Sequence, residues 1–242
     1  MNKILRNLLL APVMLSLAAC AGLPKQQTYN RDANTAIKTI VVLPMRESET
    51  QLMLLNNPAA SFGLIGGLVA EADRASKQKK MRVGLDAAKF DHVELFKETF
   101  TAEMAKHGYT LVWSDPVTEA SKSARAGNSL RKAYQPVTNA DAQMDLNFGF
   151  VGYGASGVGA NSPYRPTAVV VAQLVSADGK SKLFTETVVY HNLFNTEGAI
   201  VLPPDEQYSY PKFADLEHAG EKSAEGLKVA VQSVASKLAE QL

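Results

Sequence analysis

The first nineteen residues constrain the rest of the chain most, because they are typical of an export signal and not of a folded element. Lys3 and Arg6 form a short basic region, and an apolar stretch follows at residues 8–18. This stretch is too short to cross a bilayer as a stable helix, which needs about 20 residues. We therefore predict that residues 1–19 are a secretory signal peptide and that the fold is built from the remainder.

A single cysteine, Cys20, limits what can hold that fold together. One thiol cannot form an intrachain disulfide, and a cysteine-based metal site requires several ligands. The body of the chain is otherwise free of thiols, which suits an oxidising compartment. With 242 residues, the chain is long enough to form one domain around a hydrophobic core without disulfides or a metal.

Cys20 also ends a recognisable motif. Leu17, Ala18, Ala19 and Cys20 resemble the lipobox of bacterial lipoproteins. The resemblance implies cleavage between Ala19 and Cys20, with a diacylglycerol thioether and an N-acyl chain such as palmitate on the cysteine. Two or more chains anchor a protein firmly, since each buried methylene contributes about 0.8 kcal/mol. Because Ala21 is not aspartate, resemblance to Gram-negative lipoproteins implies the outer membrane, facing the periplasm. An ordinary signal with Cys20 there by chance is the alternative.

The charge balance excludes one class of partner. The chain carries 25 Lys and Arg against 24 Asp and Glu, and loss of Lys3 and Arg6 with the signal leaves it close to neutral. A nucleic-acid-binding protein would need a strong basic surface. We therefore expect no nucleic-acid partner.

Hydrophobic periodicity predicts helices and strands after a polar tether at residues 20–36. Residues 37–43 are β-branched and apolar, which predicts a strand buried on both faces. Apolar residues at steps of three and four predict a helix over residues 89–107, and Gly108 is placed to end it. The same steps over residues 227–242 predict a C-terminal helix.

Further strands are predicted in the second half of the chain. Residues 109–113 form a short β-rich run, and apolar and polar residues alternate over 144–150, which predicts a half-buried strand. Asp178 and Gly179 predict a hairpin turn. Residues 37–242 are thus expected to form one α+β domain, with a central mixed sheet of about five strands, a C-terminal hairpin and two or more packed helices.

Three stretches of this pattern resemble a known group of envelope proteins. They are the apolar run ending in proline at residues 38–44, the strand entered at residues 140–146, and the hairpin at residues 170–189. Together they are similar to the group that includes CsgG, FlgO and the N-terminal domain of TolB. The resemblance implies roles in envelope assembly, secretion or scaffolding, and it supplies no catalytic residues.

An uncharged, glycine-rich segment at residues 58–70 is the most distinctive part of the chain. Its glycines allow close approach of another backbone. The segment is therefore either a contact element, for self-association, a partner or lipid, or a helix or loop packed on the sheet. The candidate contact residues are Phe62, Gly63, Leu64, Ile65, Gly66, Gly67 and Leu68.

A second candidate contact is a predicted Gly- and Pro-rich loop at residues 152–166. Tyr153, Tyr164 and Arg165 have the aromatic and arginine character of interface residues. A plain flexible loop is the alternative. Gly152, Gly154 and Gly157 match GxGxxG, but the prolines that follow leave no helix to receive a pyrophosphate, so no dinucleotide site is expected.

Signatures of catalysis or metal binding are not found in the sequence. His92, His107, His191 and His218 do not stand at ligand spacings, and His92 is expected on a polar helix face. No GxSxG nucleophile motif occurs. Carboxylate pairs such as Asp141 with Asp145, or Glu94 with Glu98, are expected at the surface, where burial would not separate their pKa values. We therefore expect no metal, no cofactor and no catalytic residue.

The chain is accordingly interpreted as a lipid-anchored envelope protein whose periplasmic domain binds other envelope proteins or further copies of itself, and which could assist assembly or secretion. Two alternatives stay open. One is a carrier of lipid or a small ligand for a transport system, which would need a sizeable apolar pocket. The other is a periplasmic hydrolase, which would need a cleft with converging polar groups.

Overall fold

A computed structural model describes residues 23–45, 49–55, 63–114, 130–159, 161–191, 193 and 197–242, with the backbone alone at 63–67 and 69. The described elements confirm the α+β prediction. The strands are β1 (Thr39–Val42), β2 (Gln51–Leu54), β3 (Thr110–Trp113), β4 (Ala142–Ala155), β5 (Arg165–Ser176), β6 (Lys182–Tyr190) and β7 (Ile200–Leu202). The helices are α1 (Gly63–Ala87), α2 (His92–Lys106), α3 (Phe213–His218) and α4 (Glu221–Ala239), with short 3-10 helices at Asp32–Asn34 and Glu206–Tyr208.

All seven strands belong to one mixed sheet in the order β3–β1–β4–β5–β6–β7. Strand β2 pairs with β4 beyond the end of β1, so β1 and β2 lie along the same side of β4. The pairs β1–β3, β1–β4, β2–β4 and β6–β7 are parallel, and β4–β5 and β5–β6 are antiparallel. The predicted strand count of about five was low because β2 and β7 are short.

The predicted helix over residues 89–107 is confirmed as α2, and its apolar face packs on the sheet. Phe96, Phe100 and Met104 are fully buried. Asp91 caps its N-terminus by accepting hydrogen bonds from two backbone N–H groups. Gly108 ends it with a φ of +84°, a conformation that glycine adopts at no steric cost.

The C-terminal helix is confirmed as α4. It buries the predicted leucine and valine positions, Leu227, Val231, Val234 and Leu238, against α2 and the sheet. The predicted hairpin turn is also confirmed, since Gly179 has a φ of +76° between β5 and β6. These elements form the main hydrophobic core on one face of the sheet.

Strand β4 corrects the prediction of a half-buried strand. Its residues are buried on both faces except at Gly149, so Asp145 and Asn147 lie inside the domain. A β-bulge between Phe148 and Phe150 shifts the register against β5. Because a bulge inserts one residue, Phe150 lies on the face opposite to Phe148, although simple alternation places both on one face.

The predicted loop at residues 152–166 is shorter than expected, because β4 continues to Ala155 and β5 begins at Arg165. The connection that follows β6 also contains regular structure, since residues 197–211 include β7 and a 3-10 helix. Between β3 and β4, the described residues 130–139 contain no helix.

Helix α1 has two different parts. Met81 and Leu85 are buried against α3, α4 and β2. Residues 71–80 contain no buried side chain, and pairs such as Arg74 with Glu71 and Lys77 with Asp73 lie along this exposed part. None of the helices in the described residues has both the length and the apolar character that a membrane span requires.

Part of the predicted tether contacts the domain. Gln27 and Thr185 exchange two backbone hydrogen bonds of 2.9 Å at the outer edge of β6. Tyr29 is buried, and the Arg31 guanidinium donates to the backbone carbonyl of Leu242. The signal peptide, the cleavage position at Ala19 and the predicted lipid site at Cys20 lie outside the described residues.

Candidate functional site

A pocket of about 490 Å³ lies where β1 and β3 end, beside the start of α2. Leu43 follows β1, and Trp113 is the last residue of β3, so the carboxyl ends of two parallel strands form one wall. This is the position at which open α/β sheets commonly bind ligands. Its lining includes the apolar side chains of Leu43, Met45, Phe90, Val93 and Trp113.

Charged side chains also line this pocket, and several of them have partners within the chain. The Arg82 guanidinium forms an ion pair with Glu49. The Lys97 ammonium lies 5.8 Å from the centre of the Trp113 ring, within the range of a cation–π interaction, and 3.8 Å from Glu94. Trp113 in turn donates its indole N–H to the Thr101 hydroxyl at 2.9 Å, which fixes the orientation of the ring.

The α2 terminus at the pocket is closed to an outside anion. The Asp91 carboxylate accepts the N–H groups of Val93 and Glu94, each at 3.0 Å. His92 corrects the prediction of a polar position, because it is only 7% exposed and its ring lies 5.0 Å from the Phe148 ring. Burial lowers the pKa of His92, so the imidazole is held towards its neutral form.

The pocket thus combines apolar side chains with charged groups, and the charged groups named above have partners within the protein. Pockets that bind ligands or interface side chains are commonly lined by apolar groups together with a few polar ones. None of these pocket residues was predicted as a site. The only signal for them in the sequence was that two predicted strands end at Leu43 and Trp113.

A buried polar network occupies another part of the sheet and corrects the surface placement of Asp145. The Asp145 side chain is fully buried and accepts from the Arg131 backbone N–H at 2.6 Å and from its guanidinium. The Tyr134 hydroxyl donates to the same carboxylate at 3.1 Å and accepts from Gln173 at 2.6 Å. Burial, and then the charge of Asp145, raise the pKa of Tyr134. Every contact is internal, so this network stabilises the fold.

A second polar pair joins His191 to Thr167. The Thr167 hydroxyl lies 2.8 Å from His191 Nδ1, and burial followed by the Arg165 charge lowers the pKa of His191 to about 4. His191 has a φ of +67°, and its N–H donates to the Leu202 carbonyl at 3.0 Å. An imidazole beside a hydroxyl resembles an activated nucleophile, but Thr167 is fully buried, so no substrate could reach it.

The predicted loop contacts are drawn into the domain. Tyr153 is fully buried and donates to the Ser223 carbonyl at 3.0 Å. Tyr164 is 8% exposed, and its backbone pairs with Tyr210. Arg165 forms hydrogen bonds of 3.0 Å to both carboxylate oxygens of Glu206. These three side chains therefore contribute packing and an ion pair within the chain.

The predicted contact segment lies at the start of α1. Phe62 is outside the described residues, and the backbone of Gly63, Leu64, Ile65, Gly66 and Gly67 forms the first turns of the helix. The Leu68 side chain is 64% exposed. The structure thus gives the segment a helical backbone, and the use of this segment in binding stays a prediction.

No family model matches this chain, and no curated protein does either. One similar solved structure is the lipoprotein GNA1162 from Neisseria meningitidis, which is 16% identical, with 63% of this chain and 81% of that chain covered and a TM-score of 0.28. Another is a putative neuraminyllactose-binding hemagglutinin homolog from Helicobacter pylori, which is 9% identical, with coverages of 90% and 92% and a TM-score of 0.23. Likeness at this level carries no functional argument.

Proposed function

We propose that this chain is a bacterial envelope lipoprotein, anchored through lipid on Cys20, whose periplasmic domain binds other proteins without catalysing a reaction. The lipobox-like residues around Cys20 support the anchor. The pocket between α2 and the ends of β1 and β3 is the observation that supports the binding role. It would accept an apolar side chain from an envelope partner or from a second copy of the chain.

The chemistry of the pocket supports binding over catalysis. Asp91 caps a helix, Arg82 pairs with Glu49, and Lys97 lies over the Trp113 ring. A general base or nucleophile must be free to meet a substrate, and each of these three groups already has a partner within the chain. Among the described residues, no group of His, Cys, Asp and Glu is arranged to hold a metal ion.

The proposal is tested by isolating the lipidated protein from gently crosslinked envelopes, with Val93→Glu as the pocket variant. The substitution would place a charge among the apolar side chains of the pocket and should abolish the crosslinked complex. Glu98→Lys, on an exposed position of the same helix, is the matched control and should leave the complex intact. Both variants must show the thermal unfolding midpoint of the parent protein to within a few degrees. A complex that survives Val93→Glu contradicts the binding role of the pocket.

The size of the pocket supports a second candidate, the binding of a small apolar ligand. A volume of about 490 Å³ lies within the usual range for ligand sites of roughly 300–1,000 Å³. Native mass spectrometry of protein released gently from membranes distinguishes the two. A discrete small-molecule mass that Val93→Glu removes would favour the ligand carrier, and a protein complex that the same variant removes would favour the assembly role.

A further inference from the structure

Residues 26–31 lie along one edge of the sheet and are attached to it by several contacts. Gln27 adds a two-bond antiparallel bridge to the free side of β6, next to the position where β7 pairs. Its side chain donates to the Lys182 carbonyl at 2.7 Å. The Gln26 amide donates to the buried Glu186 carboxylate at 2.6 Å.

The contacts continue beyond this bridge, so the attachment is not a single bond. Tyr29 is 7% exposed, and its ring meets the Phe184 ring edge-on with centroids 6.5 Å apart. The Arg31 guanidinium donates to the C-terminal Leu242 carbonyl. The segment is thus held at β6 and again at the end of α4.

This attachment shortens the free chain between the proposed lipid and the domain. A tether that ran to residue 36 would reach about 55–60 Å when extended, at roughly 3.3–3.6 Å per residue. Only residues 21–25 separate Cys20 from Gln26, which limits the reach to about 20 Å. A domain of this size has a diameter of about 43 Å, from a radius of gyration of about 17 Å. The long tether would let any face approach the membrane, whereas the short one would not.

We propose that the edge formed by β6 and β7 is the membrane-facing surface of the domain and lies against phospholipid headgroups. This inference rests on the proposed lipid anchor at Cys20. Its exposed residues include Lys182 at the start of β6 and Val201 on β7. The pocket lies at the ends of β1 and β3, near the opposite edge of the sheet. In this orientation it would be turned towards the periplasm, where a partner can reach it.

The test uses full-length lipidated protein in phospholipid vesicles that carry an acceptor dye on the headgroups. Because Cys20 is acylated, a donor dye can be placed on one new thiol, either Lys182→Cys at the β6 edge or Lys106→Cys on α2, which contacts the opposite edge strand β3. Both lysines are exposed. We expect energy transfer at least about threefold stronger from position 182, because about four strand spacings of roughly 4.8 Å separate β6 from β3.

A lengthened variant provides the control. A flexible Gly/Ser insert of about 12 residues after Pro24 should bring the two transfer signals close to equality, since it restores the long reach. Equal transfer from both positions in the native, acylated protein would overturn the proposed orientation while leaving the anchor in place. Intact mass measurement reports acylation separately, and an unacylated Cys20 would overturn the anchor and the orientation together.

Discussion

The two sides of strand β4 are built differently. On one side lies the β4–β6 body, formed by β4, β5, β6 and α4, in which even polar side chains such as Asp145 and Gln173 are buried and bonded. On the other lies the pocket side, formed by β1, β3, α1 and the start of α2, where space is left open and α1 is largely exposed. The tightly packed body fixes the fold, and the more open pocket side is where we propose that binding occurs.

The largest expected effect is on the polar network of the β4–β6 body. Arg131→Ala would leave Asp145 buried without its cation, and breaking such a pair costs about 3–5 kcal/mol. Chemical denaturation should show this loss in the free energy of unfolding. Lys132→Ala, at the exposed neighbouring position, should change it by less than about 0.5 kcal/mol. Equal losses of stability in the two variants would contradict a stabilising role of the buried Arg131–Asp145 pair.

The second effect is a dependence of stability on pH through His191. Its folded pKa of about 4 lies below the unfolded value of about 6.5, so the unfolded state binds the proton more readily. The stabilisation from the neutral His191 is complete above about pH 6.5 and is lost as the pH falls from about 6.5 to about 4. The loss should be about 2–3 kcal/mol, after allowance for partial exposure. His191→Gln should flatten this part of the stability curve, and an unchanged curve would contradict the burial of a neutral imidazole.

A pair of glycine substitutions compares the two sides directly. A Cβ at Gly226 in α4 would lie 2.6 Å from the Tyr153 hydroxyl and 2.8 Å from Tyr208, so Gly226→Ala should cost about 1–3 kcal/mol. A Cβ at Gly84 in α1 would meet only backbone at 3.8 Å, so Gly84→Ala should stabilise the helix by about 0.5–1 kcal/mol. Thermal unfolding of both variants should therefore shift in opposite directions. Shifts of the same sign would contradict the contrast in packing.

The smallest effect concerns the edge of the β4–β6 body. Gln27→Pro removes the N–H that the Thr185 carbonyl accepts, and it should cost about 1 kcal/mol. Amide exchange at Thr185 should become faster, because its own N–H donates to the Gln27 carbonyl. Thr28→Ala is the control, because it leaves the backbone bridge intact. Gln207→Pro would not serve, because the Gln207 N–H donates to the Asp205 carboxylate. Unchanged exchange at Thr185 after Gln27→Pro would mean that the segment is not fastened there.

Local patterns in the sequence predicted the elements whose burial follows their own periodicity. Strand β1, helix α2, the turn at Gly179 and helix α4 each carry their signal within a few residues. The placement of Asp145 failed for a different reason. Alternation with Met144 and Leu146 indicated one solvated face, but Arg131 and Tyr134 come from outside the strand and cover that face. The sequence of β4 alone gives no signal that residues outside the strand bury its second face.

The pocket could not be predicted for a related reason. Its lining joins Leu43, Phe90 and Trp113, which come close because β1 pairs with β3 and α2 packs beside them. Tyr153 is the opposite case. It was predicted as an interface residue, but it is buried and packs on Ser223 and Gly226 inside the domain. Contacts that depend on the strand order cannot be predicted from the sequence before that order is known.

Site-specific photocrosslinking in intact envelopes can distinguish the two edges of the proposed anchored domain, with the β6–β7 edge at the membrane and the pocket at the opposite edge. The same photoreactive residue would replace Lys97 at the pocket or Lys182 at the β6 edge. We expect a protein adduct of discrete mass from position 97 and lipid adducts from position 182. Lipid adducts from position 97, or the same products from both positions, would contradict this arrangement.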